Sequence, residues 1–200
     1  MPKVCFALVS LLCLALVTAA RAQLLPRDAG LRYSEQVSNS PAGSCGCFTL
    51  QGGAADAAWN LGHLSSALHL RLAADVGVEH TGNVNNAGYG LTLSTFTAGP
   101  RFNLPGNKVK PFAQALFGLA HGSGSEFPHS GNILTTSANS FALDLGAGAD
   151  IPVNKRLSVR ILQLDYLRTA LPNNSNNWQN NLRVGAGLTL RLTRGARGDS

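Results

Sequence analysis

Two stretches, FALDLGAGADI from Phe141 to Ile151 and LRVGAGLTLRL from Leu182 to Leu192, place an apolar side chain at every second position. The intervening positions hold only Ala142, Asp144, Gly146, Gly148 and Asp150 in the first, and Arg183, Gly185, Gly187, Thr189 and Arg191 in the second. A period of two describes a strand with one oily and one polar face. Eleven residues at about 3.3 Å each, tilted by about 45°, rise about 25 Å, the height of the apolar band of a β-barrel in an outer membrane. Globular strands run to about half that length.

Six further segments carry variants of the pattern. A weak one covers Leu31 to Val37 and includes Glu35 and Gln36. The others are Phe48 to Leu61, Leu68 to Val78, Tyr89 to Phe102, Phe112 to His121 and Leu157 to Leu167. In Tyr89 to Phe102 the apolar phase moves from Leu91 and Leu93 to Phe96 and Phe102, which predicts a bulge near Ser94 and Thr95. A similar slip from Val159 and Ile161 to Leu164 and Tyr166 predicts a second near Leu162. The connections alternate strictly in length. Gly62 to Ser65, Leu104 to Val109 and Pro152 to Arg156 are short and rich in turn formers, whereas Ser38 to Cys47, Thr81 to Gly88, Gly122 to Asn139 and Leu171 to Asn180 are longer and polar. Such alternation suits a meander that crosses a membrane repeatedly. Lipid offers backbone groups no hydrogen-bond partner, so the sheet must close. The expectation is an all-β chain: an eight-stranded antiparallel up-and-down transmembrane β-barrel over residues 31–192, with both termini in the periplasm.

The flanks read as processing and spacer segments. Lys3, the apolar run from Val4 to Val17 and the Ala20-Arg21-Ala22 motif form a cleavable signal peptide over residues 1–22. Residues 23–30 then form a flexible periplasmic leader and 193–200 a C-terminal tail. No segment has the roughly 18 apolar residues of a spanning helix, and no cysteine sits in a lipid-attachment context. Loss of Lys3 and Arg21 lowers the formal charge from +6 to +4. The remaining cations are scattered singly among few aromatics, which excludes a nucleic-acid-binding surface. A charged content of 13% is well below the roughly 25% of soluble domains, as expected when much surface faces lipid.

An eight-stranded barrel has an interior filled by side chains. The inward set contains Asp56, Arg71, Asp75, Arg101, Asp144, Asp150, Arg160, Arg183 and Arg191, with both signs present. Glu79, Gln163 and Asp165 are expected to join it. These residues predict a salt-bridged polar plug in place of an open channel.

From Cys45 onward the chain resembles the small outer-membrane β-barrel proteins common in acidobacteria, an OmpA-like, porin-family class. The segments that carry the resemblance are CGCFTLQGG at Cys45 to Gly53, LTLSTFTAGPRF at Leu91 to Phe102, PFAQALFGLAH at Pro111 to His121, NSFALDLGAGADI at Asn139 to Ile151, RLSVRILQLDYLRT at Arg156 to Thr169, and QNNLRVGAGLTLRL at Gln179 to Leu192. The resemblance implies a bacterial outer-membrane location, lipid and the barrel-insertion machinery as partners, and neither enzyme activity nor cofactor. The chain departs from the usual pattern in ending its last strand on Leu192 where such barrels end on an aromatic residue.

Several residues invite chemistry. Cys45 and Cys47 could form a strained local disulfide, remain free thiols, or join His80, His121 and His129 at the same end in a zinc site. His121 with Ser123 and Glu126 has the residue types of a base, a nucleophile and an orienting acid, but without a nucleophile-elbow pattern. Trp59, Tyr89, Tyr166 and Trp178 suit an interfacial girdle, Trp59 and Tyr166 most of all. The terminal Arg197-Gly198-Asp199-Ser200 spells an adhesive tetrapeptide, at an end expected to face the periplasm. The function that follows is a structural or surface-exposed membrane barrel whose external loops bind something outside. The competing readings are a small-solute or ion channel, and a secreted lipocalin-like carrier with an apolar interior.

Overall fold

The computed structural model describes residues 25–39, 47–65, 68–84, 89–129, 133–172 and 177–192. Its strands are β1 (Asp28–Asn39), β2 (Cys47–Ser65), β3 (Leu68–Val84), β4 (Tyr89–Asn103), β5 (Lys110–His129), β6 (Ile133–Pro152), β7 (Leu157–Thr169) and β8 (Gln179–Arg191). Each pairs antiparallel with its neighbours in sequence, and β1 closes on β8 from Asp28↔Arg191 to Ser38↔Asn181. The sheet is therefore an eight-stranded up-and-down barrel without a free edge. The signal peptide, the first two residues of the leader, Cys45 and the tail with its terminal tetrapeptide lie outside the described residues, and the end of the leader, from Asp28, is part of β1.

The alternation sorts the side chains as polar-in and apolar-out. Leu31, Phe96, Leu119, Phe141 and Leu188 are each at least half exposed on the outer surface, and Phe117 stacks on Phe141 there with ring centroids 6.5 Å apart. Asp56, Asp75, Asp144 and Arg183 are buried inside. This polarity is the reverse of a lipocalin-like carrier, whose apolar residues line the interior.

Four features depart from the expectations. First, β1 begins at Asp28, ahead of Leu31, and keeps strict alternation: Arg32, Ser34 and Gln36 point inward while Tyr33 and Glu35 are exposed. Second, no bulge interrupts β4 near Ser94 and Thr95, because its register against β3 and β5 runs unbroken from Leu91 to Ala98. Leu91 and Leu93 instead point into the lumen, where they pack with Leu50, Ala120, Ala142, Leu167 and Leu171. An apolar residue has two ways to leave water in a barrel, lipid or lumen, and here the lumen end takes them. Third, the segment from Gly122 to Asn139 is a continued β5–β6 ladder up to His129↔Ile133 and not an open loop; ladder hydrogen bonds need no apolar face to persist beyond the membrane. Fourth, β2 has a register shift between Asn60 and Gly62, where Gly62 adopts a φ of +144° that a side chain would strain. The bulge in β7 is present, between Arg160 and Gln163.

The phase of β4 is open to a direct check. In a background with Cys45 and Cys47 replaced by Ser, a fluorophore on Phe96→Cys is expected to be quenched by a bilayer-dissolved quencher, and one on Leu93→Cys is not. Quenching of both would restore the bulge, and quenching of Leu93→Cys alone would reverse the phase of β4.

Candidate functional site

The lumen is divided into three layers. The end carrying the longer connections is stoppered by the apolar cluster around Leu50, Leu91, Leu93, Leu167 and Leu171, each at most 7% exposed. The middle holds two sets of ion pairs, one around Arg183 and one around Arg32 and Asp56. The end carrying the short turns opens into a cavity of about 370 Å³.

Every strand contributes to the middle layer. Arg183 of β8 lies 3.0 Å from Glu79 of β3 and 3.5 Å from Asp144 of β6, and also donates to Gln36 and Thr95. Ser34 of β1 donates to the same Glu79 at 2.9 Å. Arg32 of β1 forks onto Asp75 of β3 and stands 3.7 Å from Asp165 of β7 and 3.8 Å from Asp56 of β2. Asp56 accepts from Arg101 at 2.9 Å and Arg160 at 2.7 Å. The forks of these two arginines are held from behind, Arg101 by the Gln114 carbonyl at 2.7 Å and Arg160 by Asp150 at 2.9 Å. Both guanidiniums also lie 4.8 Å from the centroid of the Phe112 ring, within the range of cation–π attraction. Gln163 binds Asp165 at 2.9 Å. Charges this deep are tolerable only when paired and hydrogen-bonded, and these bonds join residues as far apart in sequence as Asp56 and Arg160.

Glycines make room for the network. A Cβ built on Gly146 would lie 2.0 Å from Asp165 Oδ1, and one on Gly30 would lie 2.5 Å from Asp56 Oδ1. The small residues between the charges are thus the space that the carboxylates occupy.

Of the expected lumen set, Asp56, Asp75, Arg101, Asp144, Asp150, Arg160 and Arg183 meet in this middle layer, joined by Glu79, Gln163 and Asp165. Arg71 and Arg191 do not. They converge on Asp28 at the short-turn end, Arg191 at 3.7 Å. Sequence reasoning missed Arg32, which touches three carboxylates, because Glu35 on the outer surface blurred the alternation of β1; reading Arg32, Ser34, Gln36 and Ser38 as one face would have found it. It also missed Gln114 and Phe112.

The other candidates are placed elsewhere. His80 Nδ1 lies 2.9 Å from Thr92 Oγ1, and His121 Nδ1 donates to Asn139 Oδ1 at 2.7 Å. Cys45 is outside the described residues, as are the side chains of Cys47, Glu126, His129 and Tyr89. Among the described residues no group of three or more His, Cys, Asp or Glu is arranged to hold a metal. Trp59 and Tyr166 lie toward opposite ends of the barrel on β2 and β7. The Tyr166 hydroxyl donates to Asn180 at 2.6 Å, and the Arg168 guanidinium stacks 4.1 Å from the Trp178 ring centroid.

The family model described as "Outer membrane protein beta-barrel domain" matches residues 6–189. The chain belongs to this family. It is an integral outer-membrane β-barrel with a surface or structural role, and its outer band is in contact with membrane lipid. Its fold is similar to that of Neisserial surface protein A, with a TM-score of 0.62 at 16% identity over 82% of this chain and 96% of that one. It is also similar to Ail, the attachment invasion locus protein of Yersinia pestis, with a TM-score of 0.51 at 14% identity over 82% of this chain and 99% of that one. No curated protein sequence matches the chain.

The middle layer predicts strong coupling in stability. Arg183→Met strands Glu79 and Asp144 and is expected to cost about 3–5 kcal/mol, read as a lowered urea midpoint in phospholipid vesicles. Adding Glu79→Gln should recover part of that loss. Additive losses in the double variant would mean that the two side chains do not interact. Gly146→Val, which drives a side chain into Asp165, is expected to cost about 1–3 kcal/mol by overpacking in the same assay.

Proposed function

We propose that this outer-membrane barrel is non-enzymatic, that its lumen does not conduct, and that its longer connections face the exterior while both termini and the short turns face the periplasm. The barrel-insertion machinery of the envelope would deliver it, and any external ligand would be met by the long connections.

The observation that carries the reading is the filled lumen. Leu50, Leu167 and Leu171, all at 0% exposure, stopper one end, and Arg183, also fully buried, sits among its carboxylates below them. A solute would have to break several buried ion pairs to pass. This argues against the channel reading, which needs a wetted path. The engagement of His121 by Asn139 supports a structural role for that histidine rather than a role as base for Ser123.

Planar-bilayer recordings of the refolded protein are expected to show no stable conductance of pore size. A steady open level would overturn the plugged reading. Proteolysis of intact cells is expected to cut between β1 and β2 and at the β5–β6 tip, and to spare the turns at residues 104–109 and 153–156. Cleavage at those turns would reverse the orientation.

A further inference from the structure

The cavity at the short-turn end is out of charge balance. Its wall carries Arg27, Arg71, Lys110 and Arg191 against Asp28 and Asp150. Asp150 is engaged by Arg160, which donates to it at 2.9 Å. Asp28 is shared between Arg71 and Arg191. The four cations do not come from a basic run in the sequence. Arg27 precedes β1, Arg71 lies within β3, Lys110 opens β5 and Arg191 ends β8, so it is barrel closure that gathers them. Lys110 and Arg71 each feel the like charges of Arg27 and Arg191, a repulsion that the fold maintains.

The second observation is independent of charge. The Nε atoms of Arg27 and Arg71 are buried without a hydrogen-bond partner within the chain, and that of Arg191 has only the long 3.7 Å contact with Asp28. A buried donor on a cation is costly when unsatisfied. Two such donors, and a third held only by that long contact, on residues that line one cavity suit an acceptor with several oxygens. The unpartnered Asn103 Oδ1 on the same wall does not oppose this, because turning the amide over presents its two N–H donors instead.

A carboxylate offers two oxygens in one plane, which suits a single arginine fork. Three guanidiniums and an ammonium around a common space suit a tetrahedral group with three terminal oxygens and up to two negative charges. The volume of about 370 Å³ exceeds the roughly 30 Å³ share of one water many times over, and leaves room for the group to which such a phosphate is attached. We propose that this vestibule is a binding site for a phosphate group, carried either by a soluble phosphate ester or by a lipid headgroup. Its position on the periplasmic side rests on the orientation proposed above; the binding itself does not.

The test titrates inorganic phosphate by calorimetry into the barrel refolded in phosphate-free nonionic detergent at low ionic strength. Saturable binding is expected, weakened about tenfold by Arg27→Gln or by Lys110→Gln and lost in the double variant. Neither residue belongs to the ion pairs of the middle layer, and retention of the unboiled gel shift shows that each variant is folded. Succinate should compete at least tenfold less well. Repeating the titration in nanodiscs separates the two sources. Equal affinity in phosphate-free galactolipid and in phosphatidylglycerol supports a soluble ester, and loss of phosphate binding in phosphatidylglycerol alone supports a lipid headgroup. Absence of saturable binding by the folded barrel, equal binding by the variants, or tighter binding of succinate would overturn the proposal. Reversed cutting in surface proteolysis with phosphate binding intact would overturn only the orientation.

Discussion

The ladder between β1 and β8 is the contact on which the rest of the structure depends. In lipid an open strand edge leaves backbone N–H and C=O groups with no partner, at a cost of several kcal/mol each. The register from Asp28↔Arg191 to Ser38↔Asn181 removes both edges at once. Closure with eight strands fixes a lumen too narrow to hold bulk water, so its side chains must satisfy one another. The charges of the middle layer follow from that constraint: having no solvent, each guanidinium there is paired with carboxylates of other strands.

Closure also explains why the interior is layered. Where the strands leave the membrane toward the longer connections, leucines can turn inward as well as outward, and Leu91 and Leu93 do so. In the middle, glycines set opposite carboxylates give the ionic groups their space. Toward the short turns the packing loosens, and cations outnumber carboxylates around the cavity. A barrel built this way is robust in its strands and leaves recognition to its two ends.

The sequence alone made the strands legible because lipid imposes an unusually strict rule: one side apolar, the other not, over a fixed length. Phe141 to Ile151 and Leu182 to Leu192 obey it fully, and their inward Asp144 and Arg183 were readable as partners in a lumen. The rule fails where lipid is not the only apolar environment. Leu91 and Leu93 pointed to a bulge in β4 that does not exist, because the interior end is itself apolar. It fails again where the strand continues into water, as in β5 and β6 beyond Gly122, whose polar residues read as a loop. Arg32 escaped because Glu35, exposed on the outer surface of the same strand, hid the alternation. The vestibule could not be foreseen at all, since its four cations become neighbours only after β1 meets β8.

The most direct measurement is amide hydrogen exchange on the refolded barrel in a bilayer, comparing Leu31 to Val37 of β1 and Leu182 to Leu188 of β8 with the β4–β5 centre from Thr95 to Ala98. Closure as described predicts exchange at the β1–β8 seam as slow as at the β4–β5 centre. Rapid exchange confined to the seam would show an open sheet, and the lumen network that depends on closure could not exist in the form described.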